Sequence, residues 1–370
     1  MLPKIGLIIA LAQAGGGASA EPGAVPGEPG FETVHVRTAH DSLFDLQVRG
    51  ARAFAVGDHG LILTSQDGGR TWQTRSAPSD QALLGLDMTA DGQGVIVGQE
   101  GIILRTEDHG VRWSLVTTWP ADRLFSVGLD SSGFALAAGA FGTLLASADH
   151  GASWRSAAPD WDLLLGSPEA PHLYDVLVVN ARTALVVGEF GLLLRTDDAA
   201  GRWSVLRQGE RSLFALRASA DGGLWAMGQD GLLMRSSDRG RSWQRVDPGR
   251  GVELLDLALR ADGRGLLIGL NDLFVTDDGG ASWTWQPVRG LLLPWHQSVA
   301  LTPTGDFLVA GAHGSIVRID GNGPVLRRRC RARVGRPGRG SPDWPLAPER
   351  SGVRRGAWRW PAPRAQSRTP

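Results

Sequence analysis

The chain has 370 residues, 42% hydrophobic and 21% charged, which is apolar material enough for a large core and excludes wholesale disorder. One cysteine, Cys330, excludes an intramolecular disulfide, a cysteine-cluster zinc site and CxxC redox chemistry, and Lys4, the only lysine, leaves the folded part without a catalytic or phosphate-loop lysine. The 38 basic and 38 acidic residues balance, but residues 327–370 carry a net +11 and the remainder −11.

Taken in chain order, the first segment reads as an export signal. Lys4 precedes the short apolar run Ile5–Ala12, and Ala18-Ser19-Ala20 forms a small-residue cleavage site. Residues 1–20 are therefore expected to be a signal peptide and 21–30 a Pro/Gly linker. The apolar run is too short to span a bilayer, and no cysteine follows it to carry a lipid; an uncleaved anchor is the less favoured alternative. The expected location is outside the cytoplasm, periplasmic or extracellular, or a thylakoid lumen if the owner is phototrophic.

The body repeats. An Asp followed five residues later by a Trp recurs six times: Asp67/Trp72, Asp108/Trp113, Asp149/Trp154, Asp198/Trp203, Asp238/Trp243 and Asp278/Trp283, with Trp-to-Trp steps of 41, 41, 49, 40 and 40. A G-x-x-G turn precedes each of the first five, beginning at Gly57, Gly98, Gly139, Gly188 and Gly228. It recurs as Gly269-x-x-Asp272 and Gly311-x-x-Gly314, which makes seven periods. Each period reads as four short strands, and short strands at a fixed step of about 40 residues are the signature of propeller blades. The Asp is expected to accept backbone N–H bonds two residues on, as in an Asx-turn, while the Gly takes positive φ and the Trp packs between blades. A motif present six times suits a scaffold, so these Asp and Trp residues are assigned structural roles.

The seventh period, residues 297–320, lacks an Asp motif and a Trp strand. Residues 31–37 sit ahead of the first inner strand where an outer strand would lie, so they are expected to complete the last blade. The fold class is thus all-β: a seven-bladed β-propeller over 31–321 whose N-terminal strand closes the last blade. Residues 322–370 form an Arg/Pro/Gly-rich tail expected to be disordered. That tail could lie on anionic lipid, fold back on the acidic body, or be the frameshifted end of a high-GC gene.

The S/T-x-D-x-G-x-T/S-W pattern is the Asp-box (BNR-like) motif. It resembles sialidases, xyloglucanases, sortilin-type receptors and, closest in kind, the photosystem II assembly/stability factor family, with Val56–Trp72 following that family's pattern nearly throughout. The resemblance implies an exported, non-catalytic scaffold that binds a membrane-protein complex or one of its subunits, photosystem-like or a transporter. In that family an arginine-lined patch is thought to hold the partner, and the sequence assigns no residues to one. Arg105, Arg195, Arg235 and Arg318 recur before the Asp turns and read as framework.

The alternative is a glycan-directed hydrolase or lectin. The sialidase F-R-I-P segment is absent, and Tyr174, the only tyrosine, aligns with Phe44, Phe125 and Phe214 as a core aromatic. Asp45, Asp175 and Asp256 share one inner-strand slot, so they can line the channel, and their repetition favours structural roles over an acid/base pair. No catalytic residue, metal site or cofactor is assigned, since the histidines lack ligand spacing and the glycines fall at blade period. Export argues against nucleic acid, and a monomer is expected.

Partner binding is expected where the frame is fixed but the side chains vary, on the face bearing the G-x-x-G turns and the strand 4-to-1 connections. The candidate residues are Asp58, His59, Glu100, Phe141, Trp161, Glu189, Phe190, Asp230, Trp295 and His313. Trp161 lies in the long connection 159–171 that accounts for the 49-residue step. Trp119 lies near the same face, and it, Trp161 and Trp295 could equally cover blade seams.

Overall fold

The computed structural model describes residues 30–37, 41–120, 123–167, 169–287 and 296–322. The chain separates into two units, Met1–Arg328 and Arg329–Pro370; the second lies outside the described residues, as do the signal segment, the rest of the basic tail and Trp295. Strand β1 (Phe31–His35) comes first, then a blade built from β2 (Leu43–Arg49), β3 (Arg52–Gly57), β4 (Ile62–Ser65) and β5 (Gln73–Arg75). The pattern repeats from inner strands β6 (Leu83–Met88), β10 (Leu124–Leu129), β14 (Leu173–Val178), β18 (Leu213–Ala218), β22 (Leu254–Leu259) and β26 (His296–Leu301). Seven four-stranded antiparallel sheets result.

Composition explains the layering. Second strands such as Gly94–Gly98 and Ala184–Gly188 are buried at every position because a neighbouring blade covers each face. Outer strands such as β5 are exposed and polar. The first glycine of each complete turn is required by close approach. A Cβ on Gly57, Gly98, Gly139, Gly188 or Gly228 would fall on the backbone carbonyl oxygen just ahead of that blade's inner strand. The second glycine has positive φ, 66° at Gly60.

The last blade closes as the sequence indicates. β1 pairs antiparallel with β28 (Ile316–Ile319), Phe31 opposite Ile319 and Thr33 opposite Val317, and its sheet runs β1, β28, β27 (Phe307–Gly311), β26.

The core is distributed over the seven seams between blades rather than gathered in one centre. Trp72 packs against Leu308 and Ala310 of the last blade, and Trp113 against Phe54 and Val56 of the first. Trp154, Trp203 and Trp243 repeat the arrangement one seam further on each time. Trp283 meets Trp225 edge to face at 6.3 Å. Among the described residues the seam between the sixth and seventh blades has no such Trp, and there Phe31 of β1 packs against the cluster containing Phe307 and Ile319.

Candidate functional site

The Asp turns are closed hydrogen-bonded knots. In the first, Ser65 Oγ donates to Asp67 Oδ1 at 2.7 Å and accepts the N–H of Gly69. Asp67 Oδ1 then accepts the N–H groups of Arg70 and Thr71 at 2.9 Å, and Oδ2 the Thr71 hydroxyl. The carboxylate thus reaches three and four residues on, not two as an Asx-turn would, because the Ser65 hydroxyl already binds the nearer N–H of Gly69. Asp149, Asp238 and Asp278 repeat the geometry with Ser153, Ser242 and Ser282. Asp108 and Asp198 have an Arg in place of the hydroxyl four residues on, and keep the hydroxyls of Thr106 and Thr196 and the backbone bonds to Arg112 and Arg202. Two consecutive residues after each Asp are left-handed; the second is glycine except in the fourth turn, where Ala200 adopts φ 64°, and the first is His109, His150, Ala199 or Arg239 in the second to fifth turns. Four Trp indoles donate to backbone carbonyls, three within their own turn and Trp203 to Ala157 of the preceding blade.

Three of the recurring arginines tie these turns to the next blade. Arg105 donates to the carbonyl of His150, Arg195 to that of Arg239 and Arg318 to that of Gly68. Arg235 instead pairs with Asp221 and lies over the Trp225 ring.

These bonds set the acid limit of the fold. The Thr71 N–H holds Asp67, the Arg202 N–H holds Asp198, and the Ser242 hydroxyl holds Asp238, all below the ordinary carboxylate range. At Asp149 burial acts upward, but the Ser153 and Ser147 hydroxyls outweigh it and bring the group to about 2. A carboxylate depressed in the folded state stabilises above its unfolded value of about 4, and that contribution is lost as pH falls through the folded value. Asp45 acts oppositely: burial, against the pull of Arg217, pushes it up to about 6, so stability from this group grows as pH falls from about 6 to about 4. The expected result is a melting temperature highest near pH 5 that drops between about pH 4 and 2. Melting curves followed by circular dichroism across pH check this, and a flat profile down to pH 2 would contradict it.

The channel carboxylates have structural partners. Asp45 Oδ2 accepts the N–H of Leu86 in the next blade, Asp87 that of Leu129, Asp175 that of Leu216 and Asp256 that of Val299. Ser126 Oγ accepts from Val176, and Ser298 Oγ donates to Asp45 and Asp256. Arg217 bridges Asp175 at 2.8 Å and Asp256 at 2.6 Å. Every step around the ring therefore has a polar stitch. The channel, about 550 Å³, runs from the aromatic end at Phe44, Phe125 and Tyr174 to Val48 and Arg49 at the Asp-turn face. Tyr174 stacks on Phe125 and meets Phe214 edge to face, and its hydroxyl bonds Glu189. Burial and Glu189 push this phenol far above its usual range, which suits a packed aromatic and not a nucleophile. Among the described residues no group of His, Cys, Asp and Glu could hold a metal ion, and no helix is long and apolar enough to cross a membrane.

On the opposite face, the second of the two variable residues in each G-x-x-G turn, and in Gly269-x-x-Asp272, is left-handed. His59, Glu100, Phe141, Phe190, Asp230, Asn271 and His313 have φ between 50° and 61°. Asp, Asn and His tolerate this region, whereas a bulky aromatic there is strained. Phe141 and Phe190 are nonetheless 64% and 63% exposed. Asp58 is half-buried, as is Glu189, whose carboxylate accepts the N–H of His172. Trp161 opens helix α1 (Trp161–Leu165), capped by Asp160 and ended by Gly166 in αL conformation. It is half-buried against the seam between the third and fourth blades, over Gly142, and Trp119 packs into the preceding seam.

The sequence reading missed a groove on the outer wall between the fourth and fifth blades. It measures about 640 Å³ and is lined by Arg207, Arg211, Arg241 and Arg245 with Leu206, Met234 and Trp243; Glu210 is its one acid. Arg207 ends β17 (Ser204–Arg207), and Arg245 lies in β21 (Gln244–Val246) across the seam. Arg207 donates to the Gly191 carbonyl at 2.8 Å, and Arg211 faces Asp230 at 3.9 Å. Burial and the like charges of Arg211 and Arg245 depress the Arg207 guanidinium. Such mutual repulsion is relieved when an anion enters.

Fold and site together define a closed seven-bladed Asp-box propeller with a polar-stitched channel and a basic groove on its wall. The model of a family described as photosynthesis system II assembly factor YCF48 matches residues 28–158, which hold β1 and the first three blades. The photosystem II assembly lipoprotein Ycf48 of Synechococcus sp. (strain CC9902) is 29% identical over 116 residues, 30% of this chain and 35% of its own. The chain thus spans about a third of the length of the curated relative it matches. Among solved structures, YCF48 bound to a D1 peptide superposes with a TM-score of 0.62 at 21% identity, covering 79% of this chain and 97% of that one. YCF48 from Cyanidioschyzon merolae gives 0.63 at 20% identity over 78% and 98%. A GH74 xyloglucanase from Xanthomonas campestris gives 0.60 at 15% identity, over 80% of this chain and 54% of its own. At these identities the structural likenesses establish the propeller fold.

Proposed function

We propose that the protein is an exported, non-catalytic scaffold that captures an anionic segment of a membrane-protein subunit and holds it during assembly, in the manner of the photosystem II assembly factors it resembles. The carrying observation is the four-arginine groove, where positive charge is concentrated on an acidic body, with Glu210 in its lining and Asp230 facing Arg211. A D1 peptide is the partner of one structural relative, and here the client is placed by chemistry: a carboxylate-bearing, extended polypeptide end. The glycan-hydrolase reading loses support because the inner-strand carboxylates are taken up by backbone N–H groups and Arg217. Charge reversal at Arg241 and Arg245, both exposed, tests the proposal. Hydrogen bonds to charged groups contribute about 1.5–3 kcal/mol each, so R241E/R245E is expected to weaken capture of an acidic-ended peptide by at least about 100-fold, with the melting temperature unchanged. Equal binding by the wild type and the variant would sink it.

A further inference from the structure

We infer that the corner between the third and fourth blades is a pocket for an apolar side chain of the same client segment whose carboxylates occupy the arginine groove. This inference rests on the groove reading and adds the second half of the recognition code. The pocket, about 300 Å³, is walled by Leu165, Pro171, Phe190 and Leu192. Three observations point to a ligand. First, the corner exists because of the 159–171 connection, where the Trp-to-Trp step lengthens to 49; α1 presents Leu163 with 87% of its surface exposed.

Second, the turns on either side of this connection are the two that place Phe in the left-handed slot, where the other five use His, Glu, Asp, Asn and His. An aromatic side chain held in that conformation is strained; Phe141 tilts against His172 at 4.7 Å, and Phe190 keeps 63% of its surface exposed beside the pocket. Strained residues of this kind concentrate at ligand contacts.

Third, pocket and groove share one segment of chain. Gln208 and Gly209 line the pocket, while Arg207, Glu210 and Arg211 line the groove. Gly209 N–H donates to the Phe190 carbonyl at 2.6 Å, and Arg207 to that of the adjoining Gly191, so the two walls are fastened together. Pocket and groove thus adjoin along consecutive residues 207–211, so a short extended segment reaches from one to the other. Glu169 and Glu189 also line the pocket; the Glu189 carboxylate is held by the His172 N–H and the Tyr174 hydroxyl, and the two negative charges disfavour the client's acids and leave the apolar side chain as the occupant. The segment recognised therefore has an apolar residue two to four positions from its carboxylates.

Fluorescence anisotropy with labelled octapeptides tests this. One peptide ends in two acidic residues with Phe three positions before them, a second has Ala in place of Phe, and a third keeps Phe but has neutral amides in place of the acids. The wild type is expected to bind the first at least tenfold more tightly than the second and to lose the third. Phe190→Asn, whose residue tolerates the left-handed slot, should keep or raise the melting temperature, hold its affinity for the Ala peptide, and reduce the Phe preference below threefold. If the acids matter but Phe and Ala bind the wild type equally, the pocket is wrong and the groove stands. If the neutral peptide binds as well as the first, the groove itself fails.

Discussion

Replacing Arg217 with leucine is expected to lower the melting temperature at pH 7 by on the order of 10 °C. Arg217 bridges two of the inner-strand carboxylates, Asp175 and Asp256, and Asp256 is fully buried. Removing one partner of a buried pair leaves an uncompensated charge and costs about 3–5 kcal/mol. For a domain of this size each kcal/mol moves the midpoint by roughly 2–4 °C. A signature separates this from lost packing. Adding Asp256→Asn removes the orphaned charge without restoring the lost side-chain volume, and it should recover part of the loss. A variant that melts within 2 °C of the wild type at pH 7 would show that the bridge contributes nothing.

A chain beginning at residue 38 is expected to be the more severe change, losing the folded monomer at working concentrations. Without β1, strand β28 presents an unpaired edge, and Phe31 no longer covers the seam between the sixth and seventh blades. An exposed edge beside an uncovered apolar face favours association. A synthetic peptide spanning residues 30–37 should then raise the melting temperature of the truncated chain in proportion to the logarithm of peptide concentration, as linkage requires. A truncated chain that stays monomeric with an unchanged midpoint would remove β1 from the account of closure.

The parts of this molecule that repeat were legible in its sequence, and the parts that occur once were not. Seven turn glycines and six Trp residues at a step near 40 fix the blades, because each unit meets the same steric demand at Gly57, Gly98 and their equivalents. Closure was legible as a deficit, a seventh unit one strand short with a spare strand upstream. The arginine groove was hidden because Arg207 and Arg211 belong to one blade and Arg241 and Arg245 to the next, at positions with no repeat to single them out. Two phenylalanines in the variable turn slot were the visible signal at the corner; their left-handed backbone needed coordinates. For Trp161 the sequence left a partner surface and a seam cover equally open, since a tryptophan in an inserted connection can do either; it lies half-buried over Gly142.

The pairing of β1 with β28 also governs how the ring comes into being. The first strand of the propeller has its partner at the far end of the ring, so the seventh sheet cannot mature until the chain out to Ile319 is available. Blade-by-blade folding therefore stalls one strand short, with Phe31–His35 waiting unmatched. Because that strand is identical in every copy, crowded nascent chains can complete one another, and exchanged dimers are the characteristic by-product of rapid refolding at high concentration.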